Sequence, residues 1–153
     1  MIKNYLKLTP LDIPNLIGNA MNLPSTGRLS VSDDGLVYLD LPDSYIHELY
    51  PLLASYSDTI IKPEYFGQKS AGAHISVIYP EENTPVDPQE LGKLHQFEIL
   101  QAVAADLGAK RYYVLTVNAP TLMALRNKHH LGSLLNFKNY WINLHITIGI
   151  AFL

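Results

Sequence analysis

The largely apolar run Leu36-Val37-Tyr38-Leu39-Asp40-Leu41 reads as a strand. Pro42-Asp43-Ser44 then opens a helical stretch to about residue 57, in which Ile46, Leu49, Tyr50 and Leu53 fall on one core-facing stripe. A loop containing Pro63, Gly67 and Gly72 leads to a β-branched run from His74, closed at Tyr79-Pro80 because proline cannot continue a central ladder. A polar crossing over 81–88 and a short helical turn over 88–93 follow. Strands are expected over 96–104 and 109–117, joined through a hairpin at Asp106-Leu107-Gly108. Pro120 begins a helix over 121–131 that ends at Gly132, and a loop over 136–141 feeds a last strand from His145. At the other end of the chain, Thr9 as cap and Pro10 in the first turn predict a helix ending near Met21.

The resulting order is strand, helix, strand, then strand, strand, helix, strand. It implies an α+β domain over 35–153 with antiparallel-rich lobes at about 35–80 and 81–153. Residues 1–34 are expected to be an N-terminal arm or helix packing on that domain.

Two of the strands carry one pattern. His74-Ile75-Ser76-Val77 and His145-Ile146-Thr147-Ile148 both read His, apolar, hydroxyl, apolar. Alternate side chains of an extended chain share a face, so His74 lies beside Ser76 and His145 beside Thr147, with the apolar residues turned to the core. With six histidines and hydroxyls at about a tenth of positions, roughly 0.6 His-x-Ser/Thr matches arise by accident. Requiring strand-like runs with apolar residues at both alternate positions lowers that to on the order of one per cent. One such strand alone reads as a half-buried strand histidine. The matched pair reads as two proton-exchanging imidazoles and two hydroxyl donors around one small anion, the outline of a phosphate-ester site.

Composition narrows the field. The 153 residues suit one domain with a sizeable core, and 48% hydrophobic with 16% charged residues is ordinary for a globular protein. A net charge of -3 argues against a general nucleic-acid coating surface, which needs a basic field, but allows a nucleotide or RNA end in a local pocket. Without cysteine there is neither a disulfide framework nor a thiolate metal site. No acidic cluster suggests a metal, and no cofactor is called for. Met1-Ile2-Lys3-Asn4-Tyr5-Leu6-Lys7 lacks the apolar core of a secretory leader, and no run reaches membrane-spanning length. A soluble, cytoplasmic protein without a membrane partner is expected, with export to a host cell left open.

On its two motifs and the spacing between them, the chain resembles the 2H phosphoesterase superfamily over roughly residues 35–153. That superfamily is named for paired His-x-Thr/Ser motifs. The resemblance implies a bilobal fold with two antiparallel-rich β-sheets and flanking helices around a central cleft. It also implies a hydrolase: a metal-independent phosphodiesterase acting on a 2′,3′-cyclic phosphate or a 2′-linked nucleotide or RNA end. His74 and His145 would be the catalytic acid and base, in an order the sequence leaves open, and Ser76 and Thr147 the phosphate-binding hydroxyls. The alternative is a nucleotide- or RNA-end-binding module with negligible hydrolysis.

Other residues weigh less. Lys69 could neutralise a phosphate, and Tyr140 and Trp141, just before the second motif, could stack a nucleobase. Gly149 is expected on the His145 face and Gly72 at the matching place before His74, where close backbone approach to a substrate competes with simple packing. Strand parity puts Tyr79 opposite His74 unless the strand bulges, and it is read as core. The cationic run Arg126-Asn127-Lys128-His129-His130 sits at a helix C-terminus, where cations oppose the helix dipole, and is read as structural.

Overall fold

The computed structural model describes residues 4–63, 71–82 and 85–153. The strands are β1 (Asn4–Tyr5), β2 (Leu8–Pro10), β3 (Thr26–Val31), β4 (Val37–Asp40), β5 (His74–Ile78), β6 (Leu94–Gln96), β7 (Glu98–Leu107), β8 (Lys110–Asn118), β9 (Leu135–Phe137), β10 (Tyr140–Ile142) and β11 (His145–Phe152). The helices are α1 (Leu16–Met21), α2 (Ser44–His47), α3 (Tyr50–Tyr56) and α4 (Pro120–Lys128). Eight strands form an antiparallel sheet in the order β2-β7-β8-β11-β5-β4-β3-β6, and β1-β10-β9 form a smaller one. The fold is α+β.

The large sheet consists of two four-strand halves that meet where β11 lies beside β5. Within each half the ladders are long, as in the ten-residue β7 against β8. Across the join a single register pair is made, Ile146 opposite Ile75. Both isoleucines are fully buried, with Leu39 and Leu115 beside them on the same face. Burying each such side chain contributes about 1.5–3 kcal/mol, so this apolar row holds the halves together from behind. Helices α2 and α3 pack on β11, and α4 packs on β5 and β6.

Several elements differ from the sequence expectation, each for a local reason. The segment expected as an N-terminal arm or helix supplies three strands as well as a short helix. Thr9-Pro10, read as a helix start, belongs to edge strand β2, where the missing proline N–H breaks no internal ladder. The helix comes later, after Pro14, with Asn15 in the left-handed region at φ 68°. Residues 26–31 form β3 between β4 and β6. The single helix expected to residue 57 is two, because Pro51 has no N–H to donate to the His47 carbonyl. The strand expected from residue 96 is preceded by β6, which pairs with β3 in the first half before β7 begins in the second. The loop expected over 136–141 is the β9–β10 hairpin, with Lys138 and Asn139 at φ 50° and 70° as a type I′ turn requires.

One buried cation braces this framework. Arg126 on α4 is 0% exposed, and its guanidinium donates to the carbonyls of Val77, Gly132 and Leu134. It also grips both carboxylate oxygens of Glu82 at 2.8–2.9 Å. Within the 126–130 run Arg126 is structural, as expected, but the cause is a desolvated ion pair with three carbonyl acceptors rather than helix-dipole compensation. Glu82 accepts in turn from the Tyr79 backbone N–H at 3.0 Å, so the pair fixes the exit of β5 and the approach to β9 together.

Replacing Arg126 strands a nearly buried carboxylate and three carbonyls. Arg126→Met is expected to lower unfolding free energy by about 3–5 kcal/mol in urea titrations. Arg126→Lys is expected to recover little, since one ammonium cannot span five contacts. A loss under about 1 kcal/mol for Arg126→Met, the range of an exposed pair, would contradict this account.

Candidate active site

The β5–β11 register builds the site. With Ile146 opposite Ile75 in an antiparallel pair, His145 falls across from Ser76 and Thr147 across from His74. All four side chains point away from the isoleucine face and line one cavity of about 210 Å³. By that register the imidazoles and hydroxyls occupy alternate corners of a quadrilateral on the cavity. Ser76 and Thr147 are nearly buried, and the histidines are half-buried at the cavity wall.

The two imidazoles are oriented in the same way. His74 Nδ1 lies 2.7 Å from the Gly72 carbonyl, and His145 Nδ1 lies 2.7 Å from the Asn143 carbonyl. A carbonyl only accepts, so each Nδ1 carries the proton and each Nε2 is the atom that gains or loses one. At Gly72 the backbone stands at φ 67°, and an added Cβ would strike the Asp43 carboxylate. That carboxylate accepts from the Ala73 N–H at 3.0 Å, fixing the turn whose carbonyl orients His74. Burial pushes the proton affinity of both histidines below the ordinary value. At His74 the Gly72 carbonyl and the Asp40 charge oppose that push. At His145 the Asn143 carbonyl opposes it and the neighbouring His74 charge adds to it.

The remaining walls are apolar and aromatic. Leu36, Tyr79, Leu107, Tyr112, Val114, Phe137 and Ile142 enclose the cavity, with Leu6 from beside the small sheet. Phe137 packs at 5.3 Å from Tyr79 and edge-on at 6.3 Å from Tyr112, ring centre to ring centre. Tyr79 thus lines the cavity as well as packing against the core. A register shift against β4, with Tyr38 opposite Ser76 but Val37 opposite Ile78, puts an extra residue in β5, so Val77 and Ile78 are both buried in the core and the parity on which the core assignment of Tyr79 relied is broken. Neither Tyr140 nor Trp141 lines this cavity; Trp141 borders a separate one with Glu81, His130 and Gly132. Lys69 lies outside the described residues.

Gly149 does not face the cavity. A β-bulge between Thr147 and Gly149 reverses the alternation of β11, and Gly149 pairs with Tyr113 instead. A Cβ there would sit 2.7 Å from Leu53 Cδ1 and 2.9 Å from Ile60 Cγ2, so the glycine lets α3 and the following turn close on the sheet. Packing, the plainer of the two expectations, accounts for it. The aromatic wall residues Tyr112 and Phe137 carried no sequence signal separating them from the other ring side chains. Among the described residues, no group of three or more His, Asp or Glu side chains could hold a metal ion. Among the same residues, no helix is long and apolar enough to cross a membrane.

The depressed histidines couple folding to pH. Between the unfolded imidazole value of 6.5 and the lower folded one, the unfolded chain binds more protons. Stability is therefore fully present above about pH 6.5 and falls as pH drops through the folded values. His95, also depressed mainly by burial, adds to the same slope. The double variant His74→Gln/His145→Gln is expected to flatten, without abolishing, the fall in urea midpoint between about pH 8 and 5. An unchanged slope would contradict the burial account of the two imidazoles.

Comparison with known proteins bears on the same residues. Residues 37–151 match the family model 2H-SAK, described as "Swiss Army Knife, 2H phosphoesterase domain". No curated protein and no solved structure matches the chain. The family match spans most of the sequence and includes both histidine motifs and the strands that join them. The chain therefore belongs to the 2H phosphoesterase family.

Proposed function

We propose that this protein is a metal-independent phosphodiesterase that hydrolyses a 2′,3′-cyclic phosphate or a 2′-linked nucleotide or RNA end by two-histidine acid–base catalysis. The observation that carries the proposal is the quartet of His74, Ser76, His145 and Thr147 on one cavity, with both imidazoles held in the same tautomer. Membership of a phosphoesterase family supports it.

Hydrolysis of a phosphodiester needs a base on the attacking side of phosphorus and an acid on the leaving side. One neutral imidazole takes a proton from water at Nε2 as the water oxygen bonds to phosphorus. The other, protonated at Nε2, gives its proton to the ribose oxygen as that P–O bond breaks. The product is a phosphomonoester, and the two histidines have exchanged protonation states. Each such proton transfer typically contributes about 10²–10⁴-fold. The Ser76 and Thr147 hydroxyls donate to the non-bridging oxygens, where aligned donors in a water-poor site are worth about 10²–10³-fold each. A half-buried cavity of this size suits one nucleotide unit better than an extended strand. The chain's net charge of -3 also weighs against a polyanion track.

The test is product analysis by chromatography in EDTA, on 2′,3′-cyclic mononucleotides, 2′,5′-linked oligoadenylate and cyclic di- and trinucleotides. The wild type is expected to convert at least one class to a phosphomonoester. His74→Ala and His145→Ala are each expected to lose at least about 10²-fold in kcat with the fold intact. Tight binding without product would favour the binding-module alternative, and full activity in both variants would remove the proposal.

A further inference from the structure

The quartet is nearly symmetric, but its surroundings are not. On the β5 side, β4 places Asp40 directly across from His74 and Tyr38 directly across from Ser76. Both β4 residues lie on the face of the sheet that carries the histidines. The Tyr38 ring meets His74 edge-on at 5.7 Å between centres. On the β11 side the residue across from His145 is Thr116, an uncharged hydroxyl that donates to the Gln101 carbonyl. One histidine thus has a carboxylate as its cross-strand neighbour, and the other has a threonine.

We infer that Asp40 is a positioning residue that makes His74 the general acid and leaves His145 as the general base. The inference rests on the two-histidine reading of the site and adds the order of roles that reading leaves open.

Cross-strand partners hold their Cβ atoms about 4.5–5.5 Å apart, within the range where a carboxylate favours the cationic form of a neighbour. Asp40 acts on His74 in that sense, and His74 acts reciprocally on Asp40. Other charged groups face this pair. Asp43, at the start of α2, raises the proton affinity of Asp40 and binds the Ala73 N–H. Arg28, across from Asp40 on β3, donates to the Gly92 carbonyl. The Tyr38 phenol is pushed up by burial and by Asp40, which keeps it neutral. Among the described residues, the charge acting on His145 is that of His74, which disfavours a second proton. A single proton shared by the pair therefore resides on His74. In the reaction, neutral His145 takes the proton of the attacking water, and His74 gives its Nε2 proton to the departing ribose oxygen. Exchange with solvent then returns His74 to its cationic form and His145 to its neutral one.

The test is a pH titration of the intact protein by long-range ¹H–¹⁵N NMR, with signals assigned through His74→Gln and His145→Gln. It reads the two histidines separately and needs no substrate. His74 is expected to lose its proton at higher pH than His145. Asp40→Asn is expected to lower the His74 midpoint by about half a unit or more while moving His145 less, and Asp40→Glu to keep the wild-type order. With turnover established, the alkaline limb of kcat/KM belongs to His74 and moves down in Asp40→Asn. A higher midpoint for His145, or an Asp40→Asn protein whose His74 midpoint does not move, would overturn the inference. If the titration order holds but no phosphodiester is cleaved, the catalytic roles fall with the proposed function, and the charge asymmetry alone stands.

Discussion

The edge-to-edge join of β5 and β11 passes through one register pair, Ile75 opposite Ile146, and the site exists because of that pair. A slip of one residue in either strand would turn its histidine and hydroxyl to the buried face and its isoleucines to the cavity. Neither strand is free to slip. β5 is fixed on its far side by β4, with Leu39 against Ile75, and β11 by the ladder to β8 from Thr116 to Lys110. The two strands part after that contact. Beyond the bulge at Thr147/Gly149, the exposed edge of β11 is taken over by Ile61, whose backbone exchanges both hydrogen bonds with Ile150. The join is as short as it can be while still setting the register, and it leaves the face in front of it open as a cavity.

Arg126 completes what the join begins. Its bonds to Val77 at the end of β5, to Glu82 in the next turn and to Gly132 and Leu134 before β9 tie together the segments that carry Tyr79 and Phe137. The aromatic wall is thus held by a cation that never meets the cavity itself. Burying a guanidinium is costly unless every donor is used, and here two carboxylate oxygens and three carbonyls use them. Stability and cavity shape meet in this cluster, whereas proton chemistry depends on the carbonyls of Gly72 and Asn143.

What could be read from the sequence was what local periodicity encodes. The motif strands announced themselves through a histidine and a hydroxyl two residues apart with apolar neighbours, and the structure puts those four side chains on one cavity. What periodicity could not show was where it fails. The bulge after Thr147 reverses Gly149, and the register shift between β4 and β5 reverses Tyr79. The β9–β10 hairpin turns on Lys138-Asn139, a pair without the glycine that usually marks a type I′ turn, so it read as a loop. Long-range partners were equally hidden. Nothing near Asp40 marks it as facing His74, and nothing near Arg126 distinguishes a buried ion pair from an exposed cation at a helix end.

The central claim is that His74 and His145 act on one phosphorus as a single unit. A double-mutant cycle in kcat on the substrate the wild type cleaves tests this most directly, with His74→Ala, His145→Ala and the double variant compared in EDTA. Groups that serve the two ends of one displacement are strongly non-additive, so the double variant is predicted to lose little more than the worse single one. Losses that simply multiply, or turnover that survives in the double variant, would show two independent histidines and contradict the account.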